Sequence, residues 1–366
     1  MKKIFALGLT ALLTVGVTAC GTSENTTSTD TNSPVNVSDN SQVEEKVETL
    51  KFGVVPGTIR TALVLLADEL GFYEEEGVNV EFTEVADAPS ALTAISTGKS
   101  EIDIWGTGIV PNLNFIANGS DLVIFEGTAA EGGAIIATPE NVDIYKDFTN
   151  YEGITIATVR ADSAWVVSRN YLKEQGIDVD SIKVLEVDSQ VNVAEAVKKG
   201  EASLGFLPTE FASKYHEIGI VVVYEVGELD PLYVCCRQVT SRQVYEEKAD
   251  ALEKFTIANL RAYDFYYKEE NRAGIVKYLA EYSGQTEEYV DNYLFVNRTV
   301  LTLDPNKNGV IEYYDALVDS GYYDAEVDLT KHIDTTVYKN ALDAIAKREP
   351  DNETFKELQE VYRNNN

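Results

Sequence analysis

The chain has 366 residues, 30 Lys and Arg against 61 Asp and Glu, a formal charge of −31 and 44% hydrophobic residues. That length suits about two domains of ordinary size, the apolar content is that of a globular chain, and the acidity excludes nucleic acid and an anionic membrane surface as partners. Two His and three Cys are too few for most zinc enzymes or His-rich metal carriers, so neither a metal nor a cofactor is expected.

Lys2 and Lys3 open the chain, residues 4–17 are apolar, and Val17-Thr18-Ala19-Cys20-Gly21 follows. A basic start, a short apolar run and small residues describe a secretory signal. The run is too short and too abruptly ended for a membrane-spanning helix. Small residues directly before a Cys resemble a bacterial lipobox, which implies cleavage after residue 19 and acylation of Cys20. Cleavage would remove two lysines and no acid, leaving the chain more acidic still. Residues 21–47 are dominated by Thr, Ser, Asn and acids, with no Leu, Ile or aromatic residue before Leu50. Such a stretch buries too little surface to offset chain entropy and reads as a disordered tether. A coil of that length spans on the order of 28 Å. The expected organisation is a signal at 1–19, a lipidated Cys and tether at 20–48, and a globule from 49.

The globule begins with a buried strand at 50–56 and a helix at 61–73, with Leu63, Leu66 and Leu70 on one side. An alternating strand at 78–85, a helix at 89–96 and a short strand at 102–105 follow, the last leading into Gly106-Thr107-Gly108. A helix at 111–117 and strands at 122–125 and 133–138 complete a βαβαβαβ series, the pattern of a mostly parallel sheet with helices on both faces. The pattern then restarts: strand 154–158, helix 163–175, strand 182–187, helix 191–199, strand 202–207, helix 210–217 and strand 220–226. A helical tail is expected at 242–267, 272–282, 286–295, 310–317 and 337–346. Cys235 and Cys236 are adjacent, which is neither a CxxC redox spacing nor a zinc spacing. They read as two buried thiols in a strand, with a strained vicinal disulfide as the alternative. The run from Asp304 to Asp315 has calcium-loop oxygens and a Gly at the right place, but Pro305 sits at its second position and Asp315 replaces the bidentate Glu. It reads as an Asn/Gly turn before a helix. The aromatic cluster at Tyr263, Phe265, Tyr266 and Tyr267 reads as helix packing, and His216 and His332 belong to no nucleophile motif.

Five segments carry a family resemblance: FGVVPG (52–57), LADELGFYEEEGVNVEF (66–82), ALTAISTGKSEIDIWGTG (91–108), NFIANGSDLVIF (114–125) and NVAEAVKKGEASLGFLPTEFA (192–212). Together with the lipobox and tether, they resemble the solute-binding lipoproteins of ABC importers in the nitrate/sulfonate/taurine group, which also contains thiamine-pyrimidine binders. The resemblance covers about residues 49–350. It implies an α/β, two-lobed type II periplasmic-binding-protein clamshell, each lobe a mostly parallel sheet flanked by helices. Lobe one would be 49–138 plus 227–366, and lobe two 139–226. It further implies an extracytoplasmic, lipid-anchored receptor, expected as a monomer, that closes on a small solute and docks on an ABC permease and its ATPase without performing chemistry. A rival is an enzyme on the same fold. Yeast-type pyrimidine synthases are similar to this group but depend on His and a Cys-rich motif, of which Cys235-Cys236 is only a fragment. A sensor using the same clamshell is a third reading.

Open α/β sheets bind ligands beyond the carboxyl ends of their strands, and five loops lie there. They contain Pro56, Gly57, Thr58 and Arg60; Trp105, Gly106 and Thr107; Asp162, Ser163 and Trp165; Asp188; and Glu210. Helix starts offer unpaired N–H groups to a sulfonate, nitrate or carboxylate, and the glycines let backbone approach closely. Trp105 and Trp165 could wall a cleft, and Arg60 could clasp an anion. Asp162, Asp188 and Glu210 repel a bare anion and welcome an ammonium or amidine. Each has a structural alternative: Thr58, Asp162, Ser189 and Thr209 as helix caps, the tryptophans as core, and Arg60 and Arg160 as surface ion pairs. Donors and acids together favour a taurine-like aminosulfonate. A substituted pyrimidine also fits, and inorganic nitrate fits least.

Overall fold

Two sheets organise the chain. The structure, a computed structural model, describes residues 47–97, 101–297, 299–323 and 327–366, which belong to one unit beginning at Lys46. The expected signal, Cys20 and the tether up to residue 46 lie outside the described residues, and Glu48, expected as the end of the tether, already belongs to the first strand. In chain order the strands are β1 (Glu48–Val54), β2 (Val78–Glu84), β3 (Ile104–Gly108), β4 (Leu122–Glu131), β5 (Gly133–Ala137), β6 (Thr155–Thr158), β7 (Lys183–Glu186), β8 (Leu204–Pro208), β9 (Val221–Glu225), β10 (Val234–Ser241) and β11 (Thr299–Leu301). The first sheet runs β11-β4-β10-β3-β1-β2 and the second β7-β6-β8-β5-β9.

In the first sheet β1 pairs in parallel with β2, from Glu48 opposite Val78 to Val54 opposite Glu84, and with β3 on its other side. β10 inserts antiparallel between β3 and β4. In the second sheet β6 runs parallel to β7 and β8, and β5 is the antiparallel member. The mostly parallel α/β lobes expected from the sequence are therefore present. The first division lies earlier than expected, because β5 pairs with β8 and β9 and so belongs to lobe two. The chain crosses at Gly132, between β4 and β5, not after residue 138.

Several elements differ locally. The expected helix at 61–73 is two pieces, Ala62–Glu69 and Phe72–Glu76, because Gly71 takes a φ of 73° between them. The expected loop Gly106-Thr107-Gly108 is strand: β3 runs through it, opposite Gln238, Arg237 and Cys236 of β10. A side chain at Gly106 would stand 3.1 Å from the Phe52 ring and 3.2 Å from Gln238, so the glycine serves sheet packing. The helix at 242–267 breaks at Lys248 into Arg242–Glu247 and Ala249–Tyr266. β11 and a last helix, Glu353–Asn365, have no counterpart in the expected series.

The helix Ala249–Tyr266 covers one face of the first sheet, where Phe255 stacks on Tyr73 and Phe52. The helices Ala88–Ser96 and Ile109–Ala117 cover the other face around Trp105. One carboxylate sits inside the first face. Glu126 is fully buried, with Gln238 Nε2 at 3.0 Å, Asn259 Nδ2 at 2.8 Å and Thr256 Oγ1 at 2.6 Å. Burial pushes it up to about 8, and the three hydrogen bonds offset that only in part.

A raised carboxyl binds its proton more tightly folded than unfolded, so stability falls as pH rises from the ordinary carboxylate range toward 8. Glu126→Gln should flatten that fall, removing roughly 2–4 kcal/mol of pH dependence. Urea melts from pH 5 to pH 8.5 read this directly. An unchanged slope would show that Glu126 does not titrate late.

Candidate functional site

The two crossings between lobes meet at one carboxylate. β4 reaches β5 through Glu131 and Gly132, with φ of 58° and 83°. The return crossing runs from a short turn, Val226–Glu228, to β10 through Leu232, whose φ is 61°. The Glu131 N–H donates to Tyr233 O at 3.1 Å, and its Oε1 accepts from Leu232 N at 3.0 Å. A Cβ at Gly227 would lie 1.8 Å from Glu131 Oε2, so only glycine lets the second crossing lie against this side chain.

On the lobe-one side, Val55 to Thr58 is a β-turn closed by Thr58 N to Val55 O at 3.1 Å, with Pro56 second and Gly57 third at φ 79°. This is the type II arrangement that wants Pro and Gly at those places. Thr58 is consequently not a helix cap, since the helix starts only at Ala62. Its hydroxyl accepts from Arg60 N at 3.5 Å. The turn delivers Arg60 to the cysteine pair, with Nη1 3.8 Å from both Cys235 Sγ and Cys236 Sγ. The guanidinium also lies beside the Tyr293 ring, 6.0 Å from its centroid.

On the lobe-two side, Asp162 caps the helix Ser163–Glu174 through Oδ1, which accepts from Ala164 N at 2.9 Å. Gln190 Nε2 donates to Oδ2 at 3.4 Å. Burial pushes Asp162 up to about 6, with these bonds and the Arg60 charge pulling the other way. Two phenols complete the group. Burial holds Tyr233 and Tyr313 well above the ordinary phenol range, reinforced by Cys235 and Asp162 beside each. Their hydroxyls and Gln190 Oε1 are buried without a hydrogen-bond partner among the described residues. Gly133 makes the room, since a Cβ there would lie 2.6 Å from the Tyr233 hydroxyl. A cavity of about 380 Å³ adjoins them between the lobes, lined by both tyrosines with Val166, Asp230, Asn306 and Glu312.

The remaining candidates fall elsewhere. Trp105 is 1% exposed and lies over Gly53 in the apolar core; Trp165 is 2% exposed and meets Phe206 edge-on at 5.0 Å. Both pack as core, and tyrosines take the wall positions. Asp188 is exposed on an outer groove with Asn192 and Lys199, apart from Asp162. Pro56 is exposed on its turn, and Ser163 is half-buried at the helix start. Thr209 does not cap; its hydroxyl donates to Glu225 Oε2 at 2.7 Å, whereas Ser189 does cap, accepting from Asn192 N at 3.3 Å. The side chains of Thr107 and Glu210 lie outside the described residues. Asp304 accepts from Asn306 N and from the side chains of Asn365 and Asn366, and Asn306 caps the next helix, so this loop is the Asn turn. Among the described residues, no group of acids, His or Cys is placed to hold a metal ion, and no helix is long and apolar enough to cross a membrane. The Arg60–cysteine contact, Gln190, Tyr233 and Tyr313 had not been singled out. Only Gln190 carried a local signal, lying in a strand-end loop.

Facing charges also join the lobes around this group. Arg160 stacks over Tyr322 at 5.2 Å, and Lys173 and Arg169 reach Asp319 at 2.9 and 3.4 Å.

Two α/β lobes, two crossings and a polar cleft at facing strand ends define the periplasmic-binding-protein fold. The family model described as NMT1/THI5-like matches residues 59–273, and the chain belongs to that family. Among solved structures it is similar to the periplasmic nitrate-binding protein NrtA of Synechocystis PCC 6803, at 15% identity and a TM-score of 0.62, covering 82% of this chain and 89% of that one. The periplasmic aliphatic sulphonate-binding protein SsuA of Escherichia coli matches at 16% identity and 0.61, covering 78% and 92%. The ligand-binding component of an ABC-type import system from Staphylococcus aureus, with zinc bound, matches at 14% and 0.62, covering 80% and 99%. No curated protein matches the sequence.

Because the ionised form of Asp162 is disfavoured in the fold, stability falls as pH rises from the ordinary carboxylate range through about 6. Asp162→Asn keeps a capping oxygen and should stabilise the empty protein at pH 7 by about 1–2 kcal/mol, and not at all below about pH 4. Melting temperatures at the two pH values check this. Destabilisation at pH 7 would mean that the Arg60 charge outweighs burial.

Proposed function

We propose that the chain is the extracytoplasmic, lipid-anchored solute receptor of an ABC importer. It takes a small zwitterionic organic solute of the aminosulfonate type between its lobes. The observation that carries this is the meeting of opposite charges from facing lobes, Arg60 and Asp162, around buried phenols that have no hydrogen-bond partner among the described residues. A sulfonate fits Arg60 and the Tyr233 and Tyr313 hydroxyls, which donate to it. An ammonium fits the Asp162 carboxylate and Gln190 Oε1. Nitrate would answer Arg60 and leave Asp162 ionised and buried without a cation, which is costly. The family and the nitrate- and sulphonate-binding neighbours support the receptor class. A second reading rests on the Asp162–Gln190 pair, whose carboxylate and amide oxygens also suit the amidine edge of an aminopyrimidine. The closed form would dock on a permease and its ATPase as a monomer. Cys20, acylated after signal removal, would hold the receptor at the membrane.

A thermal-shift screen of taurine, alkanesulfonates, nitrate and an aminopyrimidine tests the site, since a ligand that binds only the folded state raises the melting temperature. Taurine should stabilise, Arg60→Gln and Asp162→Asn should each weaken it about tenfold or more, and its affinity should rise from pH 5 to pH 7 as Asp162 ionises. Stabilisation by nitrate alone would overturn the zwitterion assignment. For the anchor, Cys20→Ser should move the protein from the membrane fraction to the soluble one. Full retention of the variant on membranes would refute acylation at that position.

A further inference from the structure

The proposed solute site does not account for one feature beside it. Successive side chains of a strand point to opposite faces, yet Cys235 Sγ and Cys236 Sγ lie 3.3 Å apart. The pairing of β10 with β4 shows why. Val234 stands opposite Ala130 and Cys236 opposite Ala129, so Cys235 is an extra residue in a bulge. Bulges re-aim side chains, and this one turns Cys235 toward its neighbour. Cys236 is buried and Cys235 is half-buried. Arg60 Nη1 is 3.8 Å from each sulfur, and Cys235 adjoins Tyr233 and Tyr313 at the cleft. The Cys235 S–H and the nearby guanidinium favour a thiolate on Cys236, and the same bond disfavours one on Cys235. A dithiol sharing one proton beside a fixed cation is the environment that makes thiols reactive.

We propose that Cys235 and Cys236 form a reversible dithiol/disulfide site in the cleft that exchanges with low-molecular-weight disulfides. Cys235, the less buried of the two residues, passes its proton to the Cys236 sulfur 3.3 Å away, attacks one sulfur of R–S–S–R and expels RS⁻. That leaving group takes the remaining proton of the pair and departs as RSH. The Cys236 thiolate, held by Arg60, then attacks the Cys235 sulfur of the mixed disulfide and expels the second RS⁻. Two cysteine sulfurs are oxidised and one external disulfide is reduced to two thiols. Adjacent Cα atoms are ~3.8 Å apart, below the usual span of a disulfide, so the product is strained and easily reduced again. That is the behaviour of a labile, regulatory disulfide. Closure of the bond also removes the thiolate that stands beside Arg60. The site lies in the proposed solute cleft, but the exchange needs no solute, so the two readings fail separately.

The test is glutathione disulfide added to the native full-length protein, with mass spectrometry of the peptide that holds both cysteines. The expected result is loss of two hydrogens without an adduct, reversed by dithiothreitol. Cys236→Ser should stop at a stable glutathione adduct on Cys235, and Cys235→Ser should not react until unfolded. Arg60→Gln should slow the second step about tenfold, read as accumulating adduct. A wild-type protein that stops at the adduct, or reacts only in denaturant, overturns the proposal, as does Cys235→Ser reacting at the wild-type rate. Where taurine binds, the oxidised form should bind it about tenfold tighter. If exchange proceeds as described and no screened solute binds, the solute assignment fails and the redox site stands.

Discussion

Glu131 is the constraint on which the arrangement of the two lobes depends. It ends β4 at a positive φ, and its N–H and carboxylate both engage the returning crossing at Tyr233 and Leu232. Gly227 has no side chain because that carboxylate occupies the place a Cβ would take. Two separate connections would leave the lobes free to twist. Two connections pinned together leave mainly the opening and closing of a hinge. Tyr233 follows directly from the pinned segment, and Gly133 opens β5 directly after the crossing, so the hinge also supplies the tyrosine at the cleft and the space for it. The site is built from the hinge outward.

The acid surface and the site act on different scales. A charge of −31 repels an anion at a distance and attracts a cation. In the proposed site, Arg60 would reverse that preference locally, where a half-buried charge is screened less than one at the surface. A zwitterion has no net charge to be repelled and two poles to be held. The sulfurs beside Arg60 would enter the same balance, because a thiolate there would compete with the proposed sulfonate for one guanidinium.

What could be read from the sequence was local or resembled a known family. Helices and strands bounded by glycines show their periodicity within a few residues, so the alternating α/β series and the two lobes were visible. Asp162 drew attention because its loop follows a strand end, and the helix cap given as its structural alternative is present. What was missed is non-local. Nothing near β10 says that it inserts between β3 and β4, and this pairing turns Gly106 to Gly108 from loop into strand. The bulge at Cys235 is a property of that pairing and not of the cysteines alone. Tyr313 looks like any buried aromatic on an amphipathic helix until the opposite lobe is in place. The two tryptophans misled for the reverse reason: rarity drew attention to residues that the sheets use as core.

Two carboxyls, Glu126 and Asp162, are both pushed up by burial, and their surroundings separate structure from site. Glu126 is met by Gln238, Thr256 and Asn259 within 3.0 Å, all from lobe one. Such a network fixes a core and has no place for a guest. Asp162 has its cap and one long bond to Gln190, and the phenols and amide oxygen around it have no hydrogen-bond partner among the described residues. Buried polar groups are normally paired. A group of them left unpaired at a lobe boundary, beside a cation from the other lobe, is shaped for a polar partner that arrives from outside. The direction of the shift is the same in both places; the state of the neighbours is what marks the cleft.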